Sequence, residues 1–144
     1  MNIFISKVKF ASIDAITEKQ TTATNVFLIN AVSFTEAEAK TYEAMQDTEF
    51  TVQPIKKINV SEIIFSENKE FFFEFKVCFS EMDEKGKLNK NNETILVQAN
   101  EIIEALNILN EKLNDSIADF EVIKIAKTNI NSYIKREASL TEIL

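Results

Sequence analysis

The chain has no histidine and no tryptophan, and its 144 residues include one cysteine, one glycine and one proline. Without histidine there is no Ser-His-Asp or Cys-His nucleophilic system, no imidazole base, and almost no route to a His-containing metal centre. The lone Cys78 makes neither an internal disulfide nor a zinc ribbon, and such sparse use suits a reducing compartment. A single glycine cannot build a phosphate loop or a dinucleotide fingerprint, since both need several positions where backbone meets ligand without a Cβ. No stretch approaches the length of apolar sequence that spans a bilayer. The opening Met1-Asn2-Ile3-Phe4 has no basic region leading into an apolar one, so it reads as a strand rather than a signal peptide.

Positive charge is also in short supply. Sixteen Lys and Arg face 23 Asp and Glu, for a net charge of −7 and a pI near 4.7. The molecule as a whole therefore repels nucleic acid and anionic membrane. A hydrophobic content of 45% with 27% charged residues is that of a folded globular protein. Halves of this chain would each be marginal alone, so a single domain over residues 1–144 with a shared core is expected.

What the chain does have is an echo. Lys7-Val8-Lys9-Phe10, Phe27-Leu28-Ile29-Asn30-Ala31, Phe34-Thr35-Glu36-Ala37 and Phe50-Thr51-Val52 return in order. They reappear as Lys76-Val77-Cys78-Phe79, Ile95-Leu96-Val97-Gln98-Ala99, Ile102-Ile103-Glu104-Ala105 and Phe120-Glu121-Val122. Asn59-Val60-Ser61-Glu62-Ile63-Ile64 likewise anticipates Asn129-Ile130-Asn131-Ser132-Tyr133-Ile134. The offset holds at about 68–70 residues throughout, which marks a tandem repeat.

Local patterning fills in the unit. Residues 3–10 alternate as a strand and Val26–Ala31 form its partner across a polar connection at 14–24. Ser33-Phe34-Thr35-Glu36 has the form of a capping box, with Ser33 and Glu36 serving the first turn of a helix over 34–47. Phe34, Ala37, Thr41 and Met45 give that helix a stripe to lay on a sheet. A strand over 49–58 contains Pro54, which confines it to an edge or a bulge, and residues 60–65 read as one helical turn. In the second copy, Phe71, Phe73, Phe75, Val77 and Phe79 share a strand face. A loop at 81–92, a strand at 93–99, a helix at 101–114 capped by Asn100, a strand at 119–127 and a helix at 130–137 follow. Ile102, Leu106, Leu109 and Leu113 form the second helix's apolar stripe. The fold class is α+β: a duplicated strand–strand–helix–strand–short-helix unit with mainly antiparallel sheet, the long helices on one face, and a pseudo-twofold relation. Repeat 1 spans about 2–66, repeat 2 about 69–137, and 138–144 form a tail.

The run Ala31-Val32-Ser33-Phe34-Thr35-Glu36-Ala37-Glu38-Ala39, followed by Ile95-Leu96-Val97-Gln98-Ala99-Asn100 and Ala118-Asp119-Phe120-Glu121-Val122, resembles an uncharacterised family of Bacteroidota chromosomes and their tailed phages. The resemblance covers about residues 3–134. It implies a phage or prophage setting and a bacterial cytoplasm, and it brings no catalytic residue, cofactor or substrate with it.

Carboxylates are the chemistry that remains. Glu36 and Glu104 occupy equivalent places and could form an acid/base pair, but helix capping accounts for Glu36 without catalysis. Clusters such as Asp47/Glu49, Glu81/Asp83/Glu84 and Asp115/Asp119 lack the spacing of a cation loop, and Cys78 has no cation nearer than Lys76 to activate it. We therefore expect no catalytic residue, no metal and no cofactor. Alternation instead places Lys7, Lys9, Lys76 and Lys124 on the sheet face opposite the helices, with Asn30 and Gln98 alongside. Ile3, Ile5, Leu28, Leu96, Ile123 and Ile125 dilute that face with apolar groups, as at a protein–protein interface. The expectation is a non-enzymatic accessory protein that binds a protein partner or its own copy through this face. The alternative is nucleic-acid binding in phage DNA metabolism through the same lysines. No membrane association and no small-molecule substrate are expected.

Overall fold

A computed structural model describes residues 2–116 and 118–136; the expected tail at 138–144 lies outside them. The fold is α+β. In chain order come β1 (Ile3–Ile13), β2 (Gln20–Asn30), α1 (Phe34–Ala44), β3 (Phe50–Val52), β4 (Lys56–Ile58), β5 (Glu62–Ile64), β6 (Phe71–Met82), β7 (Leu88–Ala99), α2 (Ile102–Leu113), β8 (Asp119–Lys127) and β9 (Ser132–Ile134). The chain divides into two compact units. One holds residues up to Asn59 together with the segment from Ile130, and the other holds Val60–Asn129.

The first unit is a five-stranded sheet ordered β3-β1-β2-β9, with β4 also paired to β1. Its frame is the antiparallel β1–β2 ribbon, paired from Ile3↔Asn30 to Ile13↔Gln20. The strands are therefore longer than alternation alone indicated. Much of the polar stretch is ladder, and only its tip turns. There the Asp14 carboxylate accepts from the Ile16 and Thr17 N–H groups at 2.8 and 3.1 Å, a local hydrogen-bonding pattern that favours turns over continued strand. These bonds hold the Asp14 carboxyl below its usual range. Glu18 closes the turn at φ 56°, a left-handed position taken without glycine.

One face of the ribbon packs on α1. Phe4, Val8, Phe27, Ile29 and Ala31 are buried with Ala37 and Met45 of the helix side. Ala37 is fully buried, so a methyl sets how closely α1 approaches the sheet. Between these apolar groups lies one polar contact. Thr41 Oγ1 is 2.9 Å from both Ser6 Oγ and the Ala37 carbonyl. Thr41 has one proton, and giving it to the carbonyl leaves the Ser6 hydroxyl to donate to Thr41. Both residues are fully buried.

The second unit is a four-stranded sheet ordered β5-β7-β6-β8, with β6 and β7 paired from Phe71↔Ala99 to Met82↔Leu88. The expected loop at 81–92 shrinks to a short turn. Asp83 accepts from the Lys85 and Lys87 N–H groups, and the only glycine, Gly86, supplies φ +79°. Phe73, Phe75 and Val77 form a buried core with Ile95, Val97, Ala99, Ala105, Leu109 and Leu113, and Phe71 and Phe79 pack against it. The helix stripe differs from expectation at its start: Ile102 is 48% exposed and Ala105 takes the buried first position.

Two segments read as helical turns are strands. β5 adds parallel to β7 at Ile95–Val97, and β9 adds parallel to β2 at Phe27–Ile29. A tertiary ladder explains the difference, since three-residue segments carry no periodicity that tells a turn from an edge strand. The third strand of each sheet is irregular as well. In the first unit it breaks around Pro54 into β3 and β4, opposite Val8–Phe10 and Ile3–Ile5 of β1, because proline has no N–H for the ladder. In the second, β8 runs on but shifts register between Lys76↔Lys124 and Val77↔Val122, so Ile123 is an extra residue. That bulge carries Ile125 to the helix side, where it packs on the core, and not to the open face expected of it.

The Ser6–Thr41 pair gives a direct test of this packing. Ser6→Ala and Thr41→Val should each cost about 1–2 kcal/mol by stranding a buried hydroxyl, and the double variant should cost less than their sum. Denaturant unfolding of the four proteins measures this, and strict additivity would contradict the contact.

Candidate functional site

Within each unit, the residues expected on the open sheet face are spread along the strands. Lys7 and Lys9 follow each other on β1, the first half-buried and the second exposed. Asn30 stands opposite Ile3, four residues along the strand from Lys7, which is about 13 Å. Lys76 and Lys124 are direct cross-strand partners and both are exposed. Gln98 pairs with Phe72, again four residues from Lys76.

Asn30 and Gln98 are held by their own units. Asn30 Nδ2 lies 3.4 Å from Tyr133 Oη. Gln98 accepts from the Ser66 N–H and donates to the Lys69 carbonyl. Three apolar members of the face, Ile3, Leu28 and Leu96, are closed off too, at most 2% exposed. They are not available as a docking surface.

The helix ends are also structural. Ser33 Oγ accepts from the Glu36 N–H at 3.1 Å, while the Glu36 carboxylate pairs with Lys40 at 3.4 Å. Lys40 Nζ in turn donates to the Asn30 and Lys135 carbonyls. At α2 the expected Asn100 cap is corrected. The N-cap place belongs to Glu101, with no side-chain cap bond, because the Asn100 carboxamide accepts from the Glu70 N–H instead. Glu104 instead ties the helix back to the preceding chain by accepting from the Asn100 N–H at 2.9 Å, and its other oxygen meets Lys69 at 3.0 Å.

The Asn100 N–H, and then Lys69, hold the Glu104 carboxyl below its usual range. That is the reverse of what a general acid at neutral pH requires. Among the described residues no group of three or more His, Cys, Asp or Glu side chains is placed to hold a metal ion. Cys78 is a half-buried free thiol.

A concavity lies elsewhere, between α1 and the broken third strand of the first unit. It has a volume of about 360 Å³ and is lined by Phe34, Glu38, Tyr42 and residues Val52–Ile55. Positions 34, 38 and 42 follow one another at successive turns, so they form a line along one helix face. Phe34 is 52% and Tyr42 53% exposed, yet both rings are braced. Phe34 meets Phe4 edge-on at 4.8 Å, and Tyr42 leans on Phe50 at 5.0 Å. Pro54 shapes the opposite wall by ending β3, while the Gln53 N–H still reaches the Lys7 carbonyl at 2.9 Å.

Glu38 stands between the two rings and makes no ion pair among the described residues. Such a groove can grip an apolar chain and place one cation. The helix stripe hid it, because Phe34 falls in phase with Ala37, Thr41 and Met45 and reads as core. The signal present in the sequence was the second, polar-flanked aromatic at Tyr42, eight residues on.

The depressed Glu104 carboxyl sets a sign for pH dependence. Its stabilisation is in place above the pKa of the unfolded chain and is lost as pH falls through the lower folded value. Glu104→Gln should therefore lower stability near neutral pH, with the gap closing in acid. Thermal melts over a pH series check this, and a pH-independent gap would contradict it.

No curated protein and no solved structure gives a significant match to this chain. A family model does, over residues 2–136. The chain belongs to the family described as domain of unknown function DUF4494.

Proposed function

We propose that this protein is a non-enzymatic interaction module that binds an extended segment of a protein partner in the α1 groove. The observation that carries this reading is the pair of braced but exposed rings, Phe34 and Tyr42, with the unpaired Glu38 between them. Pre-positioned aromatics bind apolar groups at little conformational cost. The acidic helix selects a cation beside the apolar anchor and repels acidic segments. Rings two helical turns apart are separated by about 12 Å, a span that about four residues of extended peptide cover.

The setting we propose is a phage or prophage accessory role in a Bacteroidota cytoplasm, resting on the Ser33–Ala39 motif. We further read the chain as a tandem duplication of one module. In support, β5 and β9 follow equivalent segments and join equivalent residues, Ile95–Val97 and Phe27–Ile29. The third strand is likewise irregular at corresponding places, broken around Pro54 in the first unit and bulged at Ile123 in the second.

Selection of a random peptide library on the intact protein tests the groove. Enriched peptides should share an aromatic or aliphatic anchor with Lys or Arg nearby, and Glu38→Lys should weaken them about tenfold or more. Enriched peptides indifferent to Glu38→Lys, or no enrichment at all, would sink the assignment.

One observation favours a second reading, nucleic-acid binding: Lys76 and Lys124 stand side by side with no ion pair among the described residues, which is unfavourable unless an anion joins them. Binding of single-stranded DNA should then appear at low salt, fall as salt rises, and be lost in Lys76→Glu plus Lys124→Glu. A fluorescence-anisotropy titration with no signal at low salt removes this reading.

A further inference from the structure

We infer that the free edge of β8 pairs antiparallel with β8 of a second copy of this chain, joining two four-stranded sheets across a twofold axis. β8 is nine residues long, and among the described residues it is hydrogen-bonded on one side only, to β6. A long exposed edge is a template for another strand, and proteins that stay monomeric break or shield it. The first unit breaks its corresponding edge at Pro54. The second unit leaves β8 continuous.

The choice of a second copy comes from the charge order along the strand. Asp119 and Glu121 occupy its first half and Lys124 and Lys127 its second. Run antiparallel against itself, such a strand sets acid against base at both ends of a symmetric contact. The bulge selects the register. Phe120, Val122 and Ile125 face the helix-side core, whereas Asp119, Glu121, Lys124 and Ala126 oppose Ser80, Cys78, Lys76 and Glu74 on the other face.

Directly opposed residues of an antiparallel pair must share a face. The register that sets Glu121 against Lys124 of the second copy satisfies this on both sides of the axis. It also places Phe120 against Ile125 and Asp119 against Ala126. In an unbulged strand that register would mix the two faces. The axis then falls between Val122 and Ile123, and Ile123, 56% exposed in the single chain, is covered. Lys124, whose direct cross-strand partner within the chain is Lys76, gains a carboxylate from the other side.

This contact is independent of the α1 groove. Its test is the oligomeric state of the full chain from micromolar to near-millimolar concentration, by sedimentation equilibrium. The expected result is a dimer that dissociates on dilution. Lys124→Glu and Glu121→Lys should each weaken it about tenfold or more, since each sets like charges together twice. The double swap Glu121→Lys with Lys124→Glu should restore it, and so should mixing the two single variants in equal amounts. Circular dichroism identical to that of the native chain shows that the variants keep their fold. A monomer at every concentration, or a dimer indifferent to the single swaps, overturns the inference, whether or not peptides bind the groove.

Discussion

Both units rest on the register of one long antiparallel ribbon. In β1–β2 and again in β6–β7, eleven or twelve consecutive residue pairs keep every second side chain on the helix face. A slip of one residue would carry Phe4, Val8 and Ile29, or Phe73, Phe75 and Val97, to the wrong side. The turns hold that register with one glycine between them, Gly86 in the second: Asp14 and Asp83 each collect two backbone N–H groups and thereby set where the chain reverses. In a chain with one glycine, this chemistry has to come from side-chain oxygens, and aspartate supplies it with a carboxylate well matched to N–H donors.

The helices are then positioned by what is small. Ala37 and Ala105 sit at equivalent points and are both fully buried, so each helix is held against its sheet by van der Waals contact at a methyl. Larger neighbours are pushed outward. This is why Phe34 and Ile102, first residues of their helices, are half exposed although their spacing places them on the apolar stripe. At Phe34 the exposure meets a strand ended by Pro54, and a groove results. The candidate site is thus a by-product of two local rules, close approach at alanine and loss of the ladder at proline.

Those rules explain what the sequence disclosed and what it hid. The alternation of Phe71 to Phe79 and the Ser33 cap were readable because each is set by residues within a few positions. The hairpin lengths were not, since Thr21–Asn25 and Asn89–Asn92 carry no alternation of apolar and polar residues; their strand character comes from the partner strand across the ladder. β5 and β9 were misread for a related reason. Asn100 was misassigned because an Asn before a helix caps it only when nothing else competes, and the Glu70 N–H does. Ile125 changed faces through a one-residue bulge that period-two reasoning cannot detect. The groove was hidden because a helix stripe identifies which residues can face a sheet, not whether the sheet extends far enough to cover them.

The same irregularity has opposite consequences in the two units. Where the third strand meets Lys7, a proline ends the ladder and the exposed edge is given up in return for a groove wall. Where it meets Lys76, an inserted Ile123 bends the strand but leaves its N–H and C=O groups in series. A proline break removes a donor outright; a bulge only shifts phase. The first is compatible with side-chain recognition of a short segment, the second with main-chain pairing to a strand that carries the same phase shift. A second copy carries it at the same residue, so the bulge, which obstructs pairing to a regular strand, favours pairing to itself.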